Sequence, residues 1–244
     1  MSILRFSIIS LSLFYIVGCA VSDIKKMTNE ITTLNLSRQG LNEIPSTVFD
    51  NKQLKVLKLF GNHLTEISSR IGELTELEEL YIGNNNLTFL PPEIGKLKKL
   101  KILSVQYNQL ELLPTEIGNL ETLDQLWLNQ NKLKSLPSEI GNLKKLVTLK
   151  LEFNSLTQLP ETIGDCESLG FIYLGRNNLT EIPESFSKLT HLKEIYLAGA
   201  GILIDVPETF CSMRYLEILE IDRTTAIPPC LIVYQANRLR IIQK

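Results

Sequence analysis

The sequence predicts an α/β repeat solenoid, and three observations carry that prediction. A 23-residue motif recurs in nine copies from Ile31 to Arg238, with regular copies starting at Leu54, Leu77, Leu100, Leu123, Leu146 and Leu169. Early in each copy, apolar residues alternate with variable ones, the period of a strand with one buried face. Later in each copy, proline and glycine recur at fixed places. A unit this short cannot bury its apolar side alone, so the copies must stack into one elongated body.

The elements follow in chain order. Phe6 to Val17 is a mainly apolar run preceded by a single charge, Arg5. It is too short for a permanent membrane span and suits the apolar region of an export signal, expected over residues 1–18. It ends in Ile16-Val17-Gly18-Cys19, which resembles the bacterial lipobox. That resemblance implies lipidation of Cys19, with an ordinary cleaved secretory signal as the alternative. Several acyl chains would give an anchoring that one would not. Ala20 is not the Asp of the inner-membrane retention signal, so the expected location is the outer membrane or cell surface, or else secretion or the periplasm. Residues 19–30 are read as a linker and N-terminal cap, residues 31–238 as the nine repeats, and residues 239–244 as the C-terminal cap.

Within the repeat, position four is a column from Leu34 through Leu126 to Leu219, and position six one from Leu36 through Leu128 to Ile221. Position nine is Asn62, Asn85, Asn108, Asn131, Asn154 and Asn177. These asparagines are expected to turn inward and bond backbone groups that would otherwise be buried without partners. Pro91, Pro114, Pro137, Pro160 and Pro183 cannot donate to a ladder and belong outside the strands. Gly72, Gly95, Gly118, Gly141 and Gly164 suit a tight bend or a helix end. The outer copies are irregular. Gln39 replaces Asn in the first, Ser68 replaces Pro in the second, and the eighth carries an extra residue with Ala200 in place of Asn.

The columns together read LxxLxLxxNxL, and the second halves read LPPEIGKL, LPTEIGNL and LPSEIGNL. The chain thereby resembles the leucine-rich repeat family, in the LPxEIGxL variant found in Ras-associated, plant intracellular and many bacterial repeats. Combined with the lipobox, it is similar to bacterial leucine-rich repeat lipoproteins, including those of spirochaetes. The resemblance implies a right-handed solenoid. Its concave face would be a parallel sheet, and its convex side would return through turns and 3₁₀ or short helical pieces.

Composition and spacing exclude several functions. The chain has 25 basic and 27 acidic residues, so no basic excess points to nucleic acid. His63 and His191 lie more than five repeats apart, and neither they nor the cysteines have metal-site spacing. No glycine-rich phosphate loop and no convergent catalytic group is legible, so no enzyme activity, metal or cofactor is expected. Lysine pairs such as Lys98-Lys99 and Lys144-Lys145 are read as solvated surface. Cys166 takes a position usually held by Leu and is read as a buried thiol. Cys211 and Cys230 stand at similar places in adjacent repeats and are either paired in a disulfide or left as free buried thiols.

What remains variable is the expected concave face and its rim. Position five runs Asn35, Lys58, Tyr81, Ser104, Trp127, Lys150, Tyr173, Tyr196 and Glu220. Neighbouring columns add Tyr107, Phe153, Phe171 and Arg176. Aromatic and arginine side chains dominate binding hot spots, so Tyr81, Tyr107, Trp127, Lys150, Phe153, Phe171, Tyr173, Arg176 and Tyr196 are the candidate binding residues. The competing reading is that aromatic residues pack along their own column. By that reasoning a Tyr173–Tyr196 stack would be structural, whereas Trp127, flanked by Ser104 and Lys150, has no aromatic neighbour to explain it. The expected function is a monomeric, membrane-tethered, non-enzymatic module that binds a protein, in a pathogen a host protein. The alternative is a periplasmic or envelope scaffold that binds a bacterial protein or glycan.

Overall fold

The computed structural model describes residues 31–202, 205–235 and 239–244. The expected export signal (1–18), Cys19 and the linker (19–30) lie outside the described residues. Ten parallel strands form one open, curved sheet in strict chain order. They are β1 (Thr33–Asn35), β2 (Val56–Lys58), β3 (Glu79–Tyr81), β4 (Ile102–Ser104) and β5 (Gln125–Trp127), then β6 (Thr148–Lys150), β7 (Phe171–Tyr173), β8 (Glu194–Tyr196), β9 (Ile218–Ile221) and β10 (Arg240–Gln243).

The register is one repeat per strand. Leu57 faces Leu80, Leu80 faces Leu103, and Leu103 faces Leu126. Every position therefore stays on one face along the whole stack, because a slip of one residue would turn every apolar side chain outward. The extra residue of the eighth copy is absorbed between strands, where Ile195 pairs with Leu219. The segment read as a C-terminal cap carries the tenth strand, β10, which lies parallel to β9. The sheet thus continues past Arg238.

The return side consists, among the described residues, of eight five-residue 3₁₀ turns from Ser46–Asp50 to Glu208–Ser212. Proline precedes seven of them and supplies an extended entry, as at Pro114 with φ −66° and ψ 147°. Ser68 replaces it once, and there the hydroxyl accepts the Arg70 amide at 3.3 Å. The recurrent glycines serve close approach. A Cβ on Gly118 would run into the Glu139 carbonyl of the next turn, and one on Gly141 into that of Thr162. Both lie near the end of a 3₁₀ turn, the helix-end position that was one of the two sequence expectations, and neither has a positive φ, so their further role is inter-repeat contact.

The core lies between the sheet and the turns. In one repeat Leu123, Leu126, Leu128, Leu133, Ile140 and Leu143 are all fully buried. Truncating any such leucine to alanine costs about 2–5 kcal/mol, because its cavity cannot collapse within a stack held on both sides. Cys166 is likewise fully buried. Its thiol donates to the Ile140 carbonyl at 3.2 Å, and burial pushes its pKa up to about 12.

The asparagine column lies inside and bridges successive repeats. Asn131 Oδ1 accepts the Leu110 amide at 3.0 Å, and its Nδ2 donates to the carbonyls of Val105 and Leu128 at 3.1 and 2.9 Å. Asn62, Asn85, Asn108, Asn154 and Asn177 repeat this pattern, each joining its own loop to the preceding one. Helix α1 (Pro229–Gln235) packs beside the last 3₁₀ turn at the C-terminal end. A disulfide joins Cys211 to Cys230 there, with Cα atoms 5.8 Å apart.

Candidate ligand-binding face

Positions four and six of each strand segment point into the core, so positions three, five and seven face the open side of the sheet. The strand register then sets Lys58, Tyr81, Ser104, Trp127, Lys150, Tyr173, Tyr196 and Glu220 side by side in one column. Both lysines of the column sit against rings. Lys58 Nζ sits 5.5 Å from the Tyr81 ring centre. Lys150 Nζ lies between two rings, 5.1 Å from Trp127 and 5.4 Å from Tyr173. Tyr173 and Tyr196 are stacked with ring centres 4.6 Å apart.

Trp127 does have an aromatic neighbour, contrary to the sequence reading. The small, buried Ser104 leaves room for Tyr81 and Trp127 to meet edge to face across it, at 6.5 Å. That contact skips a strand, and adjacent positions in the column do not reveal it. Trp127 is half-buried, so part of its area is packing and the rest is open. Phe171, at position three of β7, is also half-buried on this face.

The tyrosines are tied to carboxylates on their own strands. Tyr81 donates to Glu79 at 2.9 Å, and Tyr196 to Glu194 at 2.8 Å. Burial, reinforced by these hydrogen bonds, pushes both phenols up to about 12. Burial also raises the Tyr173 phenol. At the C-terminal end Lys244 pairs with Glu220 at 2.7 Å.

Two polar atoms at the centre of the face have no hydrogen-bond partner among the described residues. They are the indole Nε1 of Trp127 and Oε2 of Glu152. Glu152 occupies position seven, two residues beyond Lys150, and burial pushes its carboxyl pKa up. Buried polar groups are nearly always paired, so two exceptions in one place are informative. Sequence reasoning passed over Glu152. The available clue was a charged residue at a position that is glycine in the third and seventh copies, Gly83 and Gly175.

Tyr107, Phe153 and Arg176 form a second row, at the rim. All three are at position eight, where the chain turns out of the sheet with φ of 57°, 57° and 56°. Arg38, Asn84 and Gln130 share this left-handed conformation, as do Gly61 and Gly199. It swings the following residue inward, where position nine supplies the buried asparagines. For a bulky side chain the conformation costs about 1–2 kcal/mol. Tyr107 and Phe153 are nevertheless exposed, at 51% and 43%, and the Arg176 guanidinium covers the Phe153 ring at 4.9 Å. The glycines at two positions of the same column were the overlooked sign of this turn.

The flanks look different. Lys98, Lys99 and Lys144 are ion-paired with Glu121, Glu76 and Glu167. His63 and His191 are exposed, and Nδ1 of His191 lies 2.9 Å from the Glu167 carbonyl oxygen.

A long, regular, parallel sheet with a variable open face defines a repeat scaffold whose framework and variable positions are separate. Comparison with known families agrees. A model described as "Leucine-rich repeat region" matches residues 50–132 and 84–172, and one described as "Leucine rich repeat" matches residues 144–202. The chain belongs to the leucine-rich repeat family, a class of protein-binding scaffolds.

Curated proteins yielded no match to the sequence. Among solved structures, a leucine-rich repeat protein of Leptospira interrogans is 26% identical with a TM-score of 0.61, and the match covers 92% of this chain and 75% of that one. The leucine-rich repeat domain of the type III effector XopL has a TM-score of 0.77 at 23% identity, covering 91% and 80% of the two chains, a likeness of fold alone. The Arabidopsis receptor kinase HAESA, solved with the peptide hormone IDA and the co-receptor SERK1, is 30% identical with a TM-score of 0.71. That match covers 82% of this chain but only 35% of the receptor.

Proposed function

We propose that this protein is an exported, lipid-anchored, non-enzymatic binding module that captures a protein partner on the open face of its sheet. The observation that carries the reading is the column from Lys58 to Tyr196. It concentrates aromatic and cationic side chains on a surface that the repeat framework does not need. Framework positions are leucine, asparagine, proline and glycine in copy after copy. The column changes residue type at nearly every step, and its large side chains stay partly open to solvent. Such a face supplies the rigid aromatic anchors from which binding hot spots are built. The peptide-bound HAESA receptor supports the reading by fold and moderate identity.

Export and anchoring rest on the apolar run before Cys19 and on the lipobox resemblance. Metabolic labelling with palmitate should mark the full chain and should vanish in Cys19→Ala; persistent labelling would refute the anchor. Protease treatment of intact cells should degrade the protein if it is displayed at the surface. For the binding face, Trp127→Ala combined with Tyr173→Ala should abolish capture of the partner by the full chain. Unimpaired capture by a folded double variant would move the binding site elsewhere.

A further inference from the structure

Positions ten to thirteen of each repeat form the flank that leads from the open face to the convex side. Position thirteen is polar on both sides of the third and fourth copies, as at Glu66 and Ser135, but in those two copies it is Phe89 and Leu112. Both side chains are exposed, at 50% and 61%, and consecutive repeats set them next to each other. The core does not need them, because Leu87, Leu90, Leu110 and Leu113 around them are already buried. Two large apolar residues together on a polar flank mark a contact surface.

Charges on this flank differ on the two sides of the apolar pair. Glu43 and Glu66 stand on the N-terminal side and line, with Leu41, Pro45 and Thr65, a shallow hollow of about 570 Å³. Neither carboxylate has an ion pair or a side-chain hydrogen bond among the described residues. Lys132 and Lys134 stand in the repeat after Leu112. Lys134 Nζ meets Glu111 at 2.9 Å, with both side chains open to solvent, and Lys132 donates to the Gln109 side chain at 3.1 Å. The remaining flank carboxylate of the first seven repeats is Glu181, two repeats beyond the lysines. An exposed ion pair holds its lysine weakly, and an ammonium with three donors can take a second carboxylate. Glu66 and Lys134 are three repeats apart on one chain, roughly 14 Å at about 4.8 Å per repeat, so they cannot meet within it.

We propose that this flank pairs with a second copy of the chain, antiparallel, about a two-fold axis that passes between Phe89 and Leu112. Phe89 of each copy then lies against Leu112 of the other, and Lys134 of each enters the other's hollow beside Glu66. The match follows from spacing, since Glu66 stands one repeat before Phe89 and Lys134 one repeat after Leu112. The two-fold axis reverses that order and brings opposite charges together, the self-complementarity that a contact between identical surfaces needs. Parallel docking of the same flanks would set Glu66 against Glu66 and Lys134 against Lys134. The axis runs from the open side of the sheet to the convex side, so both open faces look the same way and stay free. The contact spans about four repeats and belongs with the small interfaces of weak, reversible complexes. It replaces the monomer expected from sequence and does not depend on what the open face binds.

The test is sedimentation equilibrium of the full chain in a density-matched nonionic detergent, over a wide range of concentration. The wild-type chain should dimerise reversibly. Leu112→Lys should weaken the dimer by about tenfold or more, because it sets an unpaired ammonium against Phe89. Glu66→Lys and Lys134→Glu should each weaken it by about fivefold or more, since each places like charges together twice. Both changes on one chain should recover much of that loss, because the opposite charges are then exchanged between copies. All three side chains are exposed, so the variants should keep the melting curve of the wild type. A chain that stays monomeric at millimolar concentration overturns the proposal. A dimer indifferent to Leu112→Lys places the contact elsewhere and overturns it as well. A dimer weakened by both single charge changes but not recovered in the double variant overturns the antiparallel docking.

Discussion

The carbonyl of Ala200 accepts the amide of Leu179 at 2.7 Å, filling the place that an asparagine Oδ1 holds in the preceding repeats. Leu156, one repeat earlier, gives its amide to Asn177 Oδ1 at 3.0 Å. The extra residue of the eighth copy lets the backbone make this substitution. The chain then passes through Gly201 at φ 149°, where a Cβ would collide with the backbone of Leu179. Gly201→Ala should therefore destabilise the protein by about 3 kcal/mol or more, through backbone strain and steric overlap. Urea unfolding checks this, and a midpoint equal to wild type would show that the loop turns differently.

Asn131→Ala should cost about 3 kcal/mol. It strands the buried Leu110 amide and removes donors from the carbonyls of Val105 and Leu128. Thermal unfolding followed by circular dichroism reads the loss. A drop no larger than that of an exposed control such as Lys145→Ala would mean that water replaces the side chain.

Tyr107→Gly should leave stability within about 1 kcal/mol of wild type, although it deletes an aromatic residue. The deletion relieves the left-handed conformation at φ 57°, which roughly offsets the added freedom of the unfolded chain. The same substitution at Tyr81, on a strand and packed against Trp127, should cost distinctly more. Equal losses at the two sites would contradict the division between rim and column.

Stability should fall with alkaline pH through a window set by Tyr81 and Tyr196. Burial, then the hydrogen bond to a neighbouring carboxylate, raises both phenols from 10.0 to about 12 in the folded state. A raised pKa means that the native state holds its proton more tightly than the unfolded chain. The contribution is complete below pH 10.0 and is lost as pH rises towards about 12. Ultraviolet titration of the phenols should show Glu79→Gln moving one transition downward; an unmoved transition would remove the hydrogen bond from the account.

Reduction of the Cys211–Cys230 disulfide should loosen the C-terminal end first. The bridge closes a loop of 19 residues and ties α1 to the preceding 3₁₀ turn. A closed loop of this size contributes on the order of 3 kcal/mol. Hydrogen exchange of β9 and β10 should quicken in Cys211→Ser, while β3 to β6 stay protected. Uniform protection in both forms would show that the bridge adds nothing.

The framework was legible in the sequence because stacking forces it to repeat. Leu126, Asn131 and Pro137 each stand in a column whose members obey one physical demand, and the columns could be read without coordinates. The site was legible only in part, because its contacts depend on distances across strands. The meeting of Tyr81 with Trp127 requires the small Ser104 between them, a three-strand relation that no spacing expresses. The left-handed turn at Phe153 was masked by side chains that ordinarily avoid it, although Gly61 and Gly199 marked the same column. The place of Gly118 near a helix end was legible, but its close approach to the Glu139 carbonyl was not, because helix ends and close approach select the same residue.

Trp127 is the one tryptophan of the chain, so its fluorescence reports the centre of the proposed binding face without any label. Adding a partner that lacks tryptophan, with acrylamide as quencher, tests the central claim most directly. The account predicts a blue-shifted emission and reduced quenching that saturate together with binding. A partner that binds with full affinity while Trp127 keeps its emission and its quenching would show that recognition lies off this face.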